Sequence, residues 1–196
     1  MSSLENLNKL YQSNSTLLTT LNLENLLHIK SKRTLEDLIK RLIEERVLTQ
    51  LEKGKYYMTA KQPSNFEIAH FLYSPSYISF ETALNYHGVL SQFPLEITSA
   101  TAKKRVEKQV AGQLFTYSKI DKRFYTGYYK ELGYLIATKE KALFDQVYLI
   151  SKSLKSEKVL EGLDISLIEM TKFEEYLKLL SKNTLKAFTM IMEKYL

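Results

Sequence analysis

The segment Thr34-Leu-Glu-Asp-Leu-Ile-Lys-Arg-Leu-Ile-Glu-Glu45 constrains this chain more than any other. Its apolar positions 35, 38, 39, 42 and 43 fall on one narrow stripe at helical spacing, while Arg33, Asp37, Lys40, Arg41 and Glu44 lie opposite. Such a helix must lay one side on a core and leave the other in water. Immediately after it, Val47–Leu51 and Lys55–Thr59 are rich in β-formers and are joined by Glu52-Lys53-Gly54, which predicts a hairpin. Ahead of it, Leu4, Leu7, Leu10 and Tyr11 recur at helical spacing behind Ser2 and Ser3 as the N-cap, and a short helix is predicted from about Leu23 to His28. Helix, helix–turn–helix and two-stranded wing, in that order, predict a winged helix-turn-helix domain over residues 1–62.

The polar stretch Ala60–Asn65, with one of three prolines, marks the expected boundary. Residues 63–196 then read as a mixed α/β domain. Helical patterns fall at about 66–73 and 79–86, with Gly88 suited to close the second. β-rich segments follow at Leu95–Thr101, Gln109–Ile120, Phe124–Lys130 and Tyr134–Ala137, predicting a small antiparallel sheet. Helices at about 139–152, 171–181 and 184–195 complete a helical C-terminus. The fold class is α+β.

Charge bears on partners. The net charge is +6. Residues 1–60 carry nine basic and seven acidic side chains, whereas 103–123 carry seven basic (Lys103, Lys104, Arg105, Lys108, Lys119, Lys122, Arg123) against Glu107 and Asp121. A surplus gathered in one segment points to an anionic partner, or else to a solvated hairpin. There is no cysteine, so disulfides and thiolate metal sites are excluded. The N-terminus lacks a signal-peptide layout, and no apolar run reaches the roughly 20 residues of a membrane span. A cytoplasmic protein is expected.

Catalytic motifs are not found. His28, His70 and His87 are scattered, no Gly-x-Ser-x-Gly occurs, and the six glycines stand singly, so no metal, cofactor or catalytic residue is assigned. A metal-dependent nuclease would have to use Glu96, Glu107 and Asp121, which lack motif spacing. DNA binding fits better. A helix-turn-helix places the start of its second helix against base edges, and here that start is Lys30-Ser31-Lys32-Arg33-Thr34. Arg33 suits bidentate contact with guanine, Asp37 suits a cytosine amino group, Lys40 and Arg41 suit the backbone, and Lys53 and Lys55 at the wing tip suit a neighbouring phosphate or the minor groove. Winged helices also serve as protein-interaction modules, but here positive charge gathers at the turn and wing tip, where DNA binding needs it.

Three further stretches occur in order behind this domain: Ser76-Tyr-Ile-Ser-Phe-Glu-Thr-Ala-Leu-Asn-Tyr-His-Gly-Val-Leu90, Ile97-Thr-Ser-Ala-Thr101 and Ala137-Thr-Lys-Glu-Lys-Ala-Leu-Phe-Asp145. Together they resemble the AbiEi family of antitoxins from abortive-infection toxin–antitoxin systems, over roughly residues 15–150. The resemblance implies a winged helix that binds inverted repeats in its own promoter and represses the operon. It also implies a C-terminal domain that counteracts a nucleotidyltransferase-like toxin, without a stable complex and without catalysis. Carried over, the DNA contacts are Lys30–Thr34 and the wing, and the basic surface is the seven cations of 103–123. Two copies are expected on the operator and a monomer in solution. The alternative is a stand-alone regulator on the same fold.

The last stretch also has a reading of its own. Thr138 suits an N-cap, Glu140 the first turn, and Leu143, Phe144, Val147, Tyr148 and Ile150 a buried face. Lys141 and Asp145 are expected on the wet face as an i,i+4 pair contributing a few tenths of a kcal/mol.

Overall fold

A computed structural model describes residues 3–195. The cap expected at Ser2 or Ser3 lies outside what is described, as do the side chains of Ser3 and Leu4. The chain divides into two compact units, Met1–Ile68 and Ala69–Leu196.

In the first unit the order is α1 (Ser3–Gln12), β1 (Leu17–Thr19), α2 (Thr20–Leu27), α3 (Lys32–Glu44), β2 (Leu48–Glu52) and β3 (Lys55–Met58). The three strands form an antiparallel sheet in the order β1-β3-β2. This is the connectivity of a winged helix-turn-helix. Leu35, Ile39 and Leu42 of the amphipathic stripe enter a core with Leu10, Leu18, Leu23, Leu27, Leu48, Tyr56 and Met58. Both inner helices start earlier than expected. Thr19 caps α2 through a reciprocal box with Asn22, and the Ser31 hydroxyl caps α3 by accepting the Thr34 N–H. The wing turns at Lys53-Gly54, where Gly54 takes a φ of +81° that a side chain would strain. Its carbonyl accepts the Thr20 N–H at 3.0 Å, tying the wing to the start of α2.

Helix α4 (Asn65–Leu72) contains the division between the units, beyond the expected 62/63. The second unit continues with β4 (Ser76–Ile78), α5 (Phe80–Tyr86), β5 (Glu96–Thr101), β6 (Val106–Val110), β7 (Gln113–Lys119), β8 (Tyr128–Glu131), β9 (Tyr134–Ala137), α6 (Lys139–Ser151), α7 (Met170–Leu177) and α8 (Lys182–Tyr195). The α+β class holds, but the sheet is neither small nor purely antiparallel. Six strands run in the order β6-β7-β5-β4-β9-β8, with β5/β7 and β4/β9 parallel. Short turns announce antiparallel hairpins, and both are present: β6–β7, split at Ala111-Gly112, and β8–β9. What joins them is β4, three residues long, hydrogen-bonded to β5 on one side and β9 on the other. A strand that short leaves no periodic trace.

The faces of this sheet are covered unequally. Tyr117 donates its hydroxyl to the Ala69 carbonyl within α4, while α5 packs over β5 on the opposite face. Helix α6 lies beside α5, and α7 and α8 pack on α6 through Phe144, Phe173 and Phe188.

Candidate nucleic-acid interface

Helix α3 buries its stripe and thereby sorts its charges into two ridges, since residues four apart stack on a helix surface. One ridge is Lys32–Glu36–Lys40–Glu44, with Lys32 to Glu36 and Lys40 to Glu44 each at 4.0 Å. The other is Arg33–Asp37–Arg41, exposed throughout. Four cations against three anions leave a small surplus, so this helix offers directional contacts rather than a strong field.

The first ridge overlooks the wing. Lys32, Glu36, Lys40, Gln50 and Lys53 rim a cleft of about 450 Å³ whose floor holds Ile39, Ile43 and Tyr56. The fold therefore brings Lys32, Lys40 and Lys53 to one cleft, from helix start, mid-helix and wing tip. Lys30 stands exposed in the turn ahead of α3. Ser31 and Thr34 are not two free hydroxyls, because the Thr34 hydroxyl bonds that of Ser31 at 3.0 Å. Lys55 is half-buried and sits 3.0 Å from Glu52, so its charge is partly spent inside the wing. Glu36 and Gln50 were not singled out by sequence; only the i,i+4 spacing from Lys32 marked Glu36.

In the second unit, strand register gathers part of the basic segment. Strands β5 and β7 run parallel to Thr101 and Lys119, and β6 starts beside that end. Lys103, Lys104, Arg105 and Lys119 therefore crowd one end of the sheet, and Lys122 and Arg123 follow in a 3-10 turn (Lys122–Phe124). Lys108 lies farther along β6, opposite Phe115. Part of the charge is neutralised locally: Arg105 binds Glu107 at 2.6 Å and Arg123 binds Asp121 at 3.0 Å. The hydrogen bonds from Arg123 hold the Asp121 carboxyl below its usual pKa. Lys103 donates to the Ser74 carbonyl and lies over the Tyr73 ring.

The stretch Ala137–Asp145 starts its helix as expected but buries the charges expected on a wet face. Thr138 caps α6, accepting the Lys141 N–H at 3.3 Å. Lys141 and Asp145, however, do not face water: both side chains are 0% exposed. The Lys141 ammonium binds Asp145 Oδ1, while the Tyr77 and Ser79 hydroxyls donate to Oδ2 at 2.8 Å each. The ammonium also lies over the rings of Tyr77, Phe144 and Tyr176 at 5.6, 5.1 and 5.8 Å. Burial pushes the Lys141 pKa down and that of Asp145 up, against the effect of each on the other. At Gly127, an added Cβ would collide with the Tyr176 hydroxyl and come within 2.9 Å of Lys141 Cγ. The pair belongs to the core.

Of the three carboxylates a nuclease would need, Glu96 and Glu107 line one small cavity with Arg105 and Lys155, but Asp121 does not, and Glu107 and Asp121 each bind an arginine. Among the described residues, no three His, Asp or Glu side chains are grouped to hold a metal ion, and no helix is long and apolar enough to cross a membrane.

No protein-family model matches this chain, and no curated protein sequence does. Among solved structures it is similar to the RV2827C protein from Mycobacterium tuberculosis, with a TM-score of 0.59 at 13% identity, over 95% of this chain and 74% of that one. At that identity the likeness is one of fold, and it spans both units.

Proposed function

We propose that this chain is a DNA-binding transcriptional regulator that docks α3 in the major groove and the wing on the flanking backbone. One observation carries the reading: winged-helix connectivity with Lys32, Lys40 and Lys53 converging on an open cleft beside an exposed Arg33–Asp37–Arg41 ridge. In this reading the ridge meets base edges and the cleft lysines meet phosphates. The protein works by occupancy of its site and catalyses no reaction.

The test is fluorescence anisotropy with duplexes from upstream of its own gene, against a scrambled duplex, at rising salt. Binding should be tighter to the upstream DNA and fall log-linearly with salt as counterions are released. Equal, salt-insensitive binding to both duplexes would return the domain to a protein-interaction module.

A finer reading rests on the three ordered stretches at 76–90, 97–101 and 137–145. In it, the regulator is an AbiEi-like antitoxin that represses its own operon from inverted repeats, one copy per repeat. Its C-terminal unit opposes a nucleotidyltransferase-like toxin without a lasting complex, using the basic sheet end at Lys103, Lys104 and Lys119. Charge reversal at those three lysines should abolish rescue of cells expressing a toxin encoded beside this gene. Full rescue by the reversed variant would leave the stand-alone regulator.

A further inference from the structure

Away from α3, the second unit carries a cleft that the proposed function does not use. Helix α5 covers only part of its sheet face, and two adjoining cavities open over the remainder, sharing Glu96 of β5 and Leu114 of β7. The larger, about 610 Å³, has apolar walls from Leu90, Phe93, Pro94, Leu95, Leu114 and Val159. The loop that supplies most of these is clamped. Asn85 Nδ2 donates to the carbonyls of Leu90 and Gln92 at 3.0 and 3.1 Å, and Gln113 Nε2 donates to that of Leu95 at 3.0 Å. It is clamped with Phe93 87% and Leu95 97% exposed. Fixing two large apolar side chains in water has no folding benefit, and both border the apolar cavity.

The charges in the larger cavity are of one sign. Its ionisable lining residues are Glu81 and Glu96, and among the described residues no basic side chain lines it. Glu81 is already engaged, by Lys155 at 2.5 Å and by the Gln146 amide at 3.1 Å. Glu96 has no ion pair among the described residues. Arg105 and Lys155 line the smaller neighbouring cavity, but they bind Glu107 and Glu81. An uncommitted carboxylate thus borders an apolar space of a size suited to a small ligand.

We propose that this cleft binds a lipophilic amine, the apolar walls holding its ring or alkyl body and Glu96 its protonated nitrogen. A cation enters such a space only if it meets an opposite charge there, and a carboxylic acid or a neutral alcohol gains nothing from Glu96.

Isothermal titration of the full chain with phenethylamine, 2-phenylethanol and 3-phenylpropionate separates these cases. The amine should bind most tightly and the acid least. Glu96→Gln should weaken the amine about tenfold, as expected for loss of one charge-assisted contact, while leaving the alcohol unchanged. Leu95→Ser, at an exposed position on which stability does not depend, should weaken amine and alcohol together. Equal affinity for the three probes, wild-type amine affinity in Glu96→Gln, or no saturable amine binding at millimolar concentration would overturn the proposal. So would Glu96-dependent binding of a lysine-containing apolar peptide with no binding of phenethylamine, which would assign the cleft to a protein partner.

Discussion

Two helices in this chain begin with the same charge spacing and use it in opposite ways. In α3, Lys32 and Glu36 stand four residues apart with side chains 90% and 63% exposed, 4.0 Å from each other. In α6, Lys141 and Asp145 stand four apart and are wholly enclosed. The difference lies in what surrounds each helix. α3 has one packed side, so its charges stay hydrated and available to an outside partner. α6 has α5 along it and α7 and α8 packed on it, so its charges must be satisfied from within. An exposed pair of this spacing stabilises by a few tenths of a kcal/mol, whereas an enclosed pair is costly to form and costlier to break.

That contrast is open to test. Lys141→Met should cost about 3–5 kcal/mol in chemical denaturation, because Asp145 would be left buried without its cation. Lys32→Met should change stability by no more than about 0.5 kcal/mol; similar losses for the two would erase the distinction. Next in size, Tyr77→Phe removes one of two hydroxyl donors from Asp145 and should cost about 1–3 kcal/mol, with no effect on DNA affinity.

On the exposed side, Arg33→Ala should lose about 1–3 kcal/mol of discrimination at one base pair, read by anisotropy against a set of single-site operator variants. Lys53→Ala should weaken all sequences alike and lower the salt slope by about 1. Matching profiles for the two variants would remove the division between base-reading ridge and phosphate cleft. The smallest expected effect is Glu36→Gln, which should leave the melting curve in place and tighten DNA binding modestly by taking a carboxylate out of the cleft.

The winged helix was legible because its central stripe is clean: Leu35, Ile39 and Leu42 are buried where the periodicity put them. Strands β1 and β4 were not, since three residues cannot display a period of two and their partners lie far along the chain. Lys141 misled for a different reason. A helical stripe reveals an angle, and the assumption that the opposite angle is wet fails for a helix packed around most of its circumference. A signal was present: Ala142, Leu143, Phe144, Val147, Leu149 and Ile150 leave few angles free of apolar side chains, as in a buried helix. At the interface, sequence supplied the cations of α3 but not their sorting into ridge and cleft, which depends on where the wing lies.

The missing side chain at Gly127 has a consequence for how this core can change. The space a Cβ would need is occupied by the Tyr176 hydroxyl and the stem of Lys141, so glycine, lysine and tyrosine form one steric unit drawn from three separate parts of the chain. A chain that keeps the lysine cannot admit even alanine at position 127 without displacing it. Conversely, a shorter residue at 141 would free room for a side chain there only with a smaller residue at 176 as well, and the φ of +75° would still strain it. The three positions should therefore drift together or not at all, and a library randomised at residues 127, 141 and 176 should return linked solutions rather than independent ones.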